Sequence, residues 1–395
     1  MRIAYVCADP GVPVFGHKGC SVHVQEMLRA LQGHGARVDL FAARVDLFAA
    51  RVDEAPPPAG LESLQIHHLT PVGDGDPLGH AAAIAALNDE LAALLDRAGP
   101  YDLVYERYSL WSHAAMEHAA TARVPGLLEV NAPLIEEQAQ YRGLRDAGGA
   151  DRVAARVFRA ASVLLAVSAE VAAWLARRGL PRGRMHVIPN GVDAERFRPD
   201  VQPAAPGRPG SFTVGFVGSM KPWHGLEVLV EAFARLHTRA ADTQLLLVGD
   251  GPARAAVCAD LSARGLAEVV HCTGAVAPRE VPGLLTSIDV AVAPYPNASD
   301  FYFSPLKVYE YMAAGRAVVA SRVGQLETLI RHEVNGLLCP PGDAAALAGA
   351  LELLQCEPAL RARLGRAARA TVLHTHTWGA IAARVLELAA AAVEA

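Results

Sequence analysis

The chain has 395 residues, too many for one ordinary hydrophobic core and enough for two domains of roughly 150–200 residues each. Apolar residues make up 52% of it, sufficient for two cores, while 19% charged residues and a net charge of −5 deny it the basic footprint of a nucleic-acid binder. The cysteines, at 7, 20, 258, 272, 339 and 356, show no close-paired metal spacing and read as reduced thiols of a cytoplasmic protein.

Met1-Arg2 leads straight into an apolar strand, Ile3–Cys7, so no signal peptide is expected, and no apolar stretch approaches the roughly 20 residues of a membrane span. Next comes Gly16–Ser21, G-H-K-G-C-S, directly before the helix-like Val22–Gln32. Gly16 and Gly19 let the backbone approach a ligand, although a purely structural turn explains the loop equally well. The second strand, Val38–Phe41, falls in a tandem heptad: A-R-V-D-L-F-A stands at Ala36–Ala42 and again at Ala43–Ala49. Seven residues is too short a period for a solenoid, so one copy is assigned to the strand and the rest to a surface loop. Asp74-Gly75-Asp76 follows a weak strand and is crowded by Gly and Pro, a poor setting for a metal. No histidine array suggests zinc either.

Strands at Leu103–Tyr105, Gly126–Glu129, Ser162–Ala166 and His186–Ile188 complete the first half. The polar run Glu129–Arg142 begins where one of them ends. It places Asn131 at a position that commonly faces a cleft and offers Glu136, Glu137 and Arg142 to acceptor hydroxyls or amines; a solvated helix face explains those three nearly as well. Arg152, Arg156 and Arg159 recur near helical spacing, which fits a solvated face or peripheral contact with an anionic membrane.

Pro199–Ser211 is rich in Pro and Gly and reads as a linker. The alternation then restarts with Phe212–Val217, Gln244–Val248, Val269–Cys272, Ile288–Ala293, Ala317–Ser321 and Gly336–Cys339. Alternating strands and helices in both halves argue for two Rossmann-like α/β domains. The expected division is residues 1–200, a linker at 201–211, residues 212–375, and a last helix at 376–395 that returns to the first domain.

Two segments of the second half carry the chemistry. Val217–Gly225, V-G-S-M-K-P-W-H-G, follows its first strand, where a doubly wound sheet binds ligands. Lys221 and His224 there would neutralise charge on a departing diphosphate without a metal ion. Ser304–Gly315, S-P-L-K-V-Y-E-Y-M-A-A-G, reads as a loop entering a helix, with Pro305 early, Leu306–Ala314 helix-permissive and Gly315 as a left-handed stop. Its N-terminus offers backbone N–H groups, and Lys307 and Glu310 share one face beside them. Together they suit a sugar nucleotide, with diphosphate at the N–H groups and a ribose diol on the carboxylate.

These segments, with I-P-N-G-V-D at Ile188–Asp193, V-G-D-G-P at Val248–Pro252 and N-G-L-L at Asn335–Leu338, resemble the retaining glycosyltransferases of family 4 through most of the chain. The resemblance implies the GT-B fold, two Rossmann-like domains facing across a deep cleft, with acceptor bound by the first and sugar nucleotide by the second. It implies that Glu310 holds the ribose hydroxyls and that backbone around Pro305, Leu306 and Lys307 meets the diphosphate and donor sugar. Gly19, Gly218, Ser219, Tyr302 and Ser304 join that donor set, and Lys221, His224 and Asn131 form the catalytic one. Two positions depart from the pattern. Tyr302 stands where relatives carry a Glu that contacts the transferred sugar, with Asp300 as a substitute, and Ser219 and His224 replace an Arg and Lys pair. His224 would make the charge at the diphosphate pH-dependent.

The activity implied is transfer of a hexosyl unit, with retention, from a nucleoside diphosphate sugar to a hydroxyl of a natural product, glycan or glycolipid. UDP is preferred and GDP next, because a carboxylate at 310 reads a complete ribose diol. No cofactor or metal is expected. A sugar-nucleotide 2-epimerase and a non-catalytic sugar-nucleotide-binding module are the alternatives.

Overall fold

A computed structural model describes residues 1–45, 57–72, 77–141, 143–144, 146–297 and 301–394. The chain forms two compact units. The first takes in Met1–Asn190, Tyr302–Ser304 and Trp378–Ala395; the second takes in Gly191–Phe301 and Pro305–Thr377.

The first unit is built on strands β1 (Arg2–Cys7), β2 (Arg37–Ala42), β3 (Gln65–His68), β4 (Leu103–Arg107), β5 (Gly126–Val130), β6 (Val163–Ala166) and β7 (Met185–Val187). They form one parallel sheet in the order β3-β2-β1-β4-β5-β6-β7. The inner strands are covered on both faces and therefore read as unbroken apolar runs, which is why the sequence reveals them. β3 is the exception: an edge strand of sequence Q-I-H-H, exposed at both ends, it lacks the apolar signal. The first heptad copy supplies β2, with Val38, Leu40 and Phe41 buried. Most of the second copy, and Asp74-Gly75-Asp76, lie outside the described residues.

The terminal helix Trp378–Glu394 packs on the helix Gly19–Gly33 of the same unit. The Trp378 ring meets His23 edge-on at 5.0 Å between centroids.

The second unit carries β8 (Phe212–Val217), β9 (Thr243–Val248), β10 (Val270–Gly274), β11 (Val290–Ala293), β12 (Ala317–Ser321) and β13 (Leu337–Cys339) in a parallel sheet of order β10-β9-β8-β11-β12-β13. Pro199–Ser211 is not a free linker but is tied to this unit: Ala204 N donates to Gly283 O (2.9 Å), Ala205 N to Ser287 Oγ (2.9 Å) and Arg208 N to Gln244 Oε1 (3.1 Å). Its composition signals irregular backbone, and irregular backbone can be as firmly bonded as a strand.

Strand order reverses between β1 and β4 in the first unit and between β8 and β11 in the second. Such a switch point opens a crevice at the carboxyl ends of the strands, so the loops after β1 and β8 are where each sheet can receive a ligand. No helix among the described residues is long and apolar enough to cross a membrane.

Candidate functional site

In the second unit the loop after β8 lies against the loop after β9. Gly218 N donates to Val248 O and Met220 N to Asp250 O, both at 2.9 Å. So close an approach excludes side chains: a Cβ on Gly249, whose φ is +124°, would fall 2.1 Å from Gly218 O. The chain then makes a short 3-10 turn at Pro222–His224, stops at Gly225 with φ +67°, and enters the helix Leu226–Arg239.

Beside this loop stands the helix Leu306–Ala313, preceded by Pro305 and followed by Gly315 with φ +67°, as the sequence predicts. Its N-cap residue, Pro305, makes no side-chain capping hydrogen bond. Tyr311 fastens it to the end of β8, its hydroxyl accepting from Val217 N at 2.8 Å and donating to Val217 O at 3.0 Å. One turn back, Lys307 Nζ lies 4.1 Å over the Phe216 ring and 5.5 Å from the Tyr295 ring. Burial draws the Lys307 ammonium down to about 7, with Glu310 opposing the shift.

His224 Nδ1 donates to the Ser219 carbonyl oxygen and lies 3.5 Å from Lys307 Nζ. Burial, then the Lys307 charge, press its pKa down to about 3, so the ring is uncharged near neutral pH. Burial above all, and the neighbouring ammonium next, thus oppose the positive charge expected of His224. Lys221 stands at the rim, its Nζ 5.7 Å from the ring of Trp223, which is 41% exposed.

The first unit has its own polar cluster at the carboxyl ends of β1, β4 and β5. Gly16 turns tightly, since a Cβ there would lie 2.9 Å from Pro13 O, and Gly19 opens the following helix. His23 on that helix donates from Nδ1 to Asn190 Oδ1 at 2.6 Å, and its Nε2 lies 2.5 Å from Glu129 Oε1. Arg107 Nη1 is 3.6 Å from the other Glu129 oxygen. Burial raises the Glu129 carboxyl, but His23 and Arg107 outweigh it and hold the group at about 2. The sequence does not single out His23, Arg107 or Glu129; the one signal is that Glu129 opens the polar run at the end of β5.

Asn131 directly follows β5. On the helix Leu134–Tyr141, Glu136 is committed to packing: its Oε1 accepts from Trp174 Nε1 at 2.8 Å and lies 3.4 Å from Arg178 Nη2. Glu137 Oε2 accepts from the Tyr302 hydroxyl at 2.9 Å. Ser304 is held by Asn190, whose N donates to its Oγ at 3.0 Å and whose Nδ2 donates to its O at 2.5 Å. The expected donor set thus divides: Gly19, Tyr302 and Ser304 belong to the first unit, and Gly218, Ser219, Pro305, Leu306, Lys307 and Glu310 to the second. Arg142 and Asp300 lie outside the described residues. Of the arginines on the helix Ala147–Ala160, Arg156 is committed to Glu117 through two contacts of 2.8 and 2.9 Å. Among the described residues no group of three or more His, Cys, Asp or Glu is arranged to hold a metal ion.

A family model described as Glycosyltransferase Family 4 matches residues 17–196, and one described as Glycosyl transferases group 1 matches residues 211–356. The D-inositol 3-phosphate glycosyltransferase of Arthrobacter sp. (strain FB24) is 32% identical over 312 residues, which cover 75% of this chain and 72% of that protein. Among solved structures, sucrose-phosphate synthase from Thermosynechococcus elongatus superimposes with a TM-score of 0.73 at 24% identity, over 98% of each chain. The complex of Anabaena HepE with UDP-glucose gives 0.73 at 19% identity, over 99% of this chain and 100% of that one.

Proposed function

The chain belongs to glycosyltransferase family 4, among the group 1 glycosyl transferases of GT-B fold, and from that premise we propose that it moves a hexosyl unit, with retention, from UDP to a hydroxyl acceptor. The observation that carries this reading is the helix Leu306–Ala313, which brings the Lys307 ammonium to the glycine-lined loop at the switch point of the second sheet and carries the Glu310 carboxylate three residues further on. Glu310 takes the two ribose hydroxyls, and the helix N-terminus takes the diphosphate. A carboxylate reading a complete diol favours a ribonucleotide carrier, with GDP as the second choice.

In the reaction the bond between the anomeric carbon and the phosphate oxygen breaks. The acceptor oxygen bonds to that carbon from the same face, and its proton passes to the departing phosphate oxygen. The protein's part is electrostatic, since negative charge grows on the leaving diphosphate and fixed positive groups stabilise it there. No resident metal enters this reading. In the first unit Asn131 and Glu137 are the groups offered to the acceptor, a hydroxyl of a polyol, glycan or glycolipid; the named acceptor of the similar Arthrobacter protein is an inositol phosphate.

A thermal-shift panel of UDP, GDP, ADP and their sugars identifies the carrier, because a ligand that binds the folded state raises its stability. Turnover with the selected donor, in the presence of a chelator, is expected to give product of unchanged anomeric configuration by NMR. An inverted product would refute retention. Isomerised nucleotide formed without acceptor would favour the 2-epimerase, and binding without turnover a non-catalytic module.

A further inference from the structure

We propose that Lys307 is the ammonium that receives the donor's diphosphate, a part the sequence gives to Lys221 and His224, and that His224 serves as an uncharged wall that positions it. The proposal rests on the sugar-nucleotide reading above and assigns the charge within that site.

The chain contains 36 lysines and arginines, and three of them, Lys18, Lys221 and Lys307, are lysine. In a chain that otherwise uses arginine, each lysine stands in a glycine-bearing loop or at the helix start beside one. The two cations differ in kind: a guanidinium is always charged and planar, whereas an ammonium is compact and can shed its proton when enclosed. Lys307 lies close against the glycine-bearing loop after β8. A Cβ on Gly218 would lie 2.9 Å from its Nζ, and the ring faces of Phe216 and Tyr295 bound it on other sides.

Among the described residues no anion lies in contact with this ammonium. Among the described residues Lys307 forms no ion pair, and His224 Nδ1, at 3.5 Å from its Nζ, has its own proton directed to the Ser219 carbonyl oxygen. A carbonyl oxygen can only accept, so Nδ1 carries the hydrogen and has no lone pair for Lys307. Glu310 acts on Lys307 through space from the same helix. The other titratable groups facing it are His224 from the turn Pro222–His224 and Tyr295 after β11, both uncharged near neutral pH. An enclosed cation resting on ring faces is costly until an anion joins it. Such a cation, beside the switch-point loop and in the first turn of a helix, has the sign and location that a diphosphate requires.

A consequence concerns protons. Burial holds the Lys307 ammonium near 7, so above neutrality the free site is largely uncharged, and a bound diphosphate restores the charge. Donor binding at pH 8 should therefore draw ~1 proton from solution.

Isothermal titration of the full chain tests this by comparing uridine with UDP and guanosine with GDP, which isolates the diphosphate's share of affinity. Lys307→Met keeps the length and removes the charge. It should cut the ratio of diphosphate to nucleoside affinity at least tenfold while nucleoside binding changes less than twofold. Lys221→Met should cut that ratio less than threefold. Lys307→Arg should preserve the ratio yet abolish proton uptake at pH 8, measured in buffers of different ionisation enthalpy. It keeps the proposal testable should the Met variant fold poorly. An unchanged ratio in Lys307→Met, a larger loss in Lys221→Met, or undiminished proton uptake in Lys307→Arg would overturn the assignment and leave the donor reading intact. A wild-type protein that binds neither UDP nor GDP would overturn both.

Discussion

Glu106 shows what a single buried group can do far from the chemistry. Its carboxyl is fully enclosed on β4, accepts a hydrogen bond from Ser112 Oγ, and is pushed by burial up to about 7. The folded state therefore holds the proton more tightly than the unfolded chain. The stabilisation is complete below the unfolded value of 4.5 and is lost as pH rises through 7, a change of roughly 3 kcal/mol by linkage. Glu106→Gln keeps the Ser112 bond without the titration, so its melting temperature should fall much less than wild type's between pH 5.5 and 8.5. Parallel profiles would contradict the assignment. Glu310 makes a different prediction: Glu310→Ala should raise donor KM at least tenfold and erase discrimination between UDP and its 2′-deoxy analogue in competition binding. Glu310 was legible in the sequence because it stands three residues after a lysine at a recognisable helix start. The neutrality of His224 was not, since it depends on burial in the fold and then on Lys307, which lies 83 residues away in the chain.

At the scale of elements, strands were the most readable feature. A parallel strand buried on both faces must be apolar throughout, and every strand the sequence predicts is present. β3 showed only as a weak strand ahead of Asp74, given no bounds, because a short edge strand carries no such run. The loops were readable as glycine-rich but not as partners, because backbone contacts leave no trace in residue type beyond the glycines themselves. Gly249 gives this a test. Gly249→Ala would set a Cβ 2.1 Å from Gly218 O at a φ of +124°, so the loop after β9 must move away from the loop after β8. A loss of at least about 2 kcal/mol in denaturant stability is expected, together with weakened nucleotide binding. Full stability and full affinity in the alanine variant would show that the two loops need not touch.

For the whole molecule, the terminal helix Trp378–Glu394 joins the unit that holds the N-terminus, and it buries Trp378, Ile381, Ala382, Val385, Leu388 and Ala389. Large apolar side chains contribute about 1.5–3 kcal/mol each when fully buried, so a chain ending at Thr377 should lose most of the stability of the first unit. Hydrogen exchange would read this directly: amides of β1 and β6 should lose protection, while those of β8 and β9 keep theirs. Equal loss in both units would show that they unfold as one. The interleaving of the units also bears on how such enzymes can be recombined. Tyr302–Ser304 and Trp378–Ala395 belong with Met1–Asn190, while the residues on either side of 302–304 do not. A chimaera joined once, at Asn190, would separate Asn190 from the Ser304 it evolved with and strip the helix Gly19–Gly33 of its own cover. Exchanging the first unit between relatives therefore calls for three grafted segments, and libraries built on a single crossover will under-sample functional hybrids.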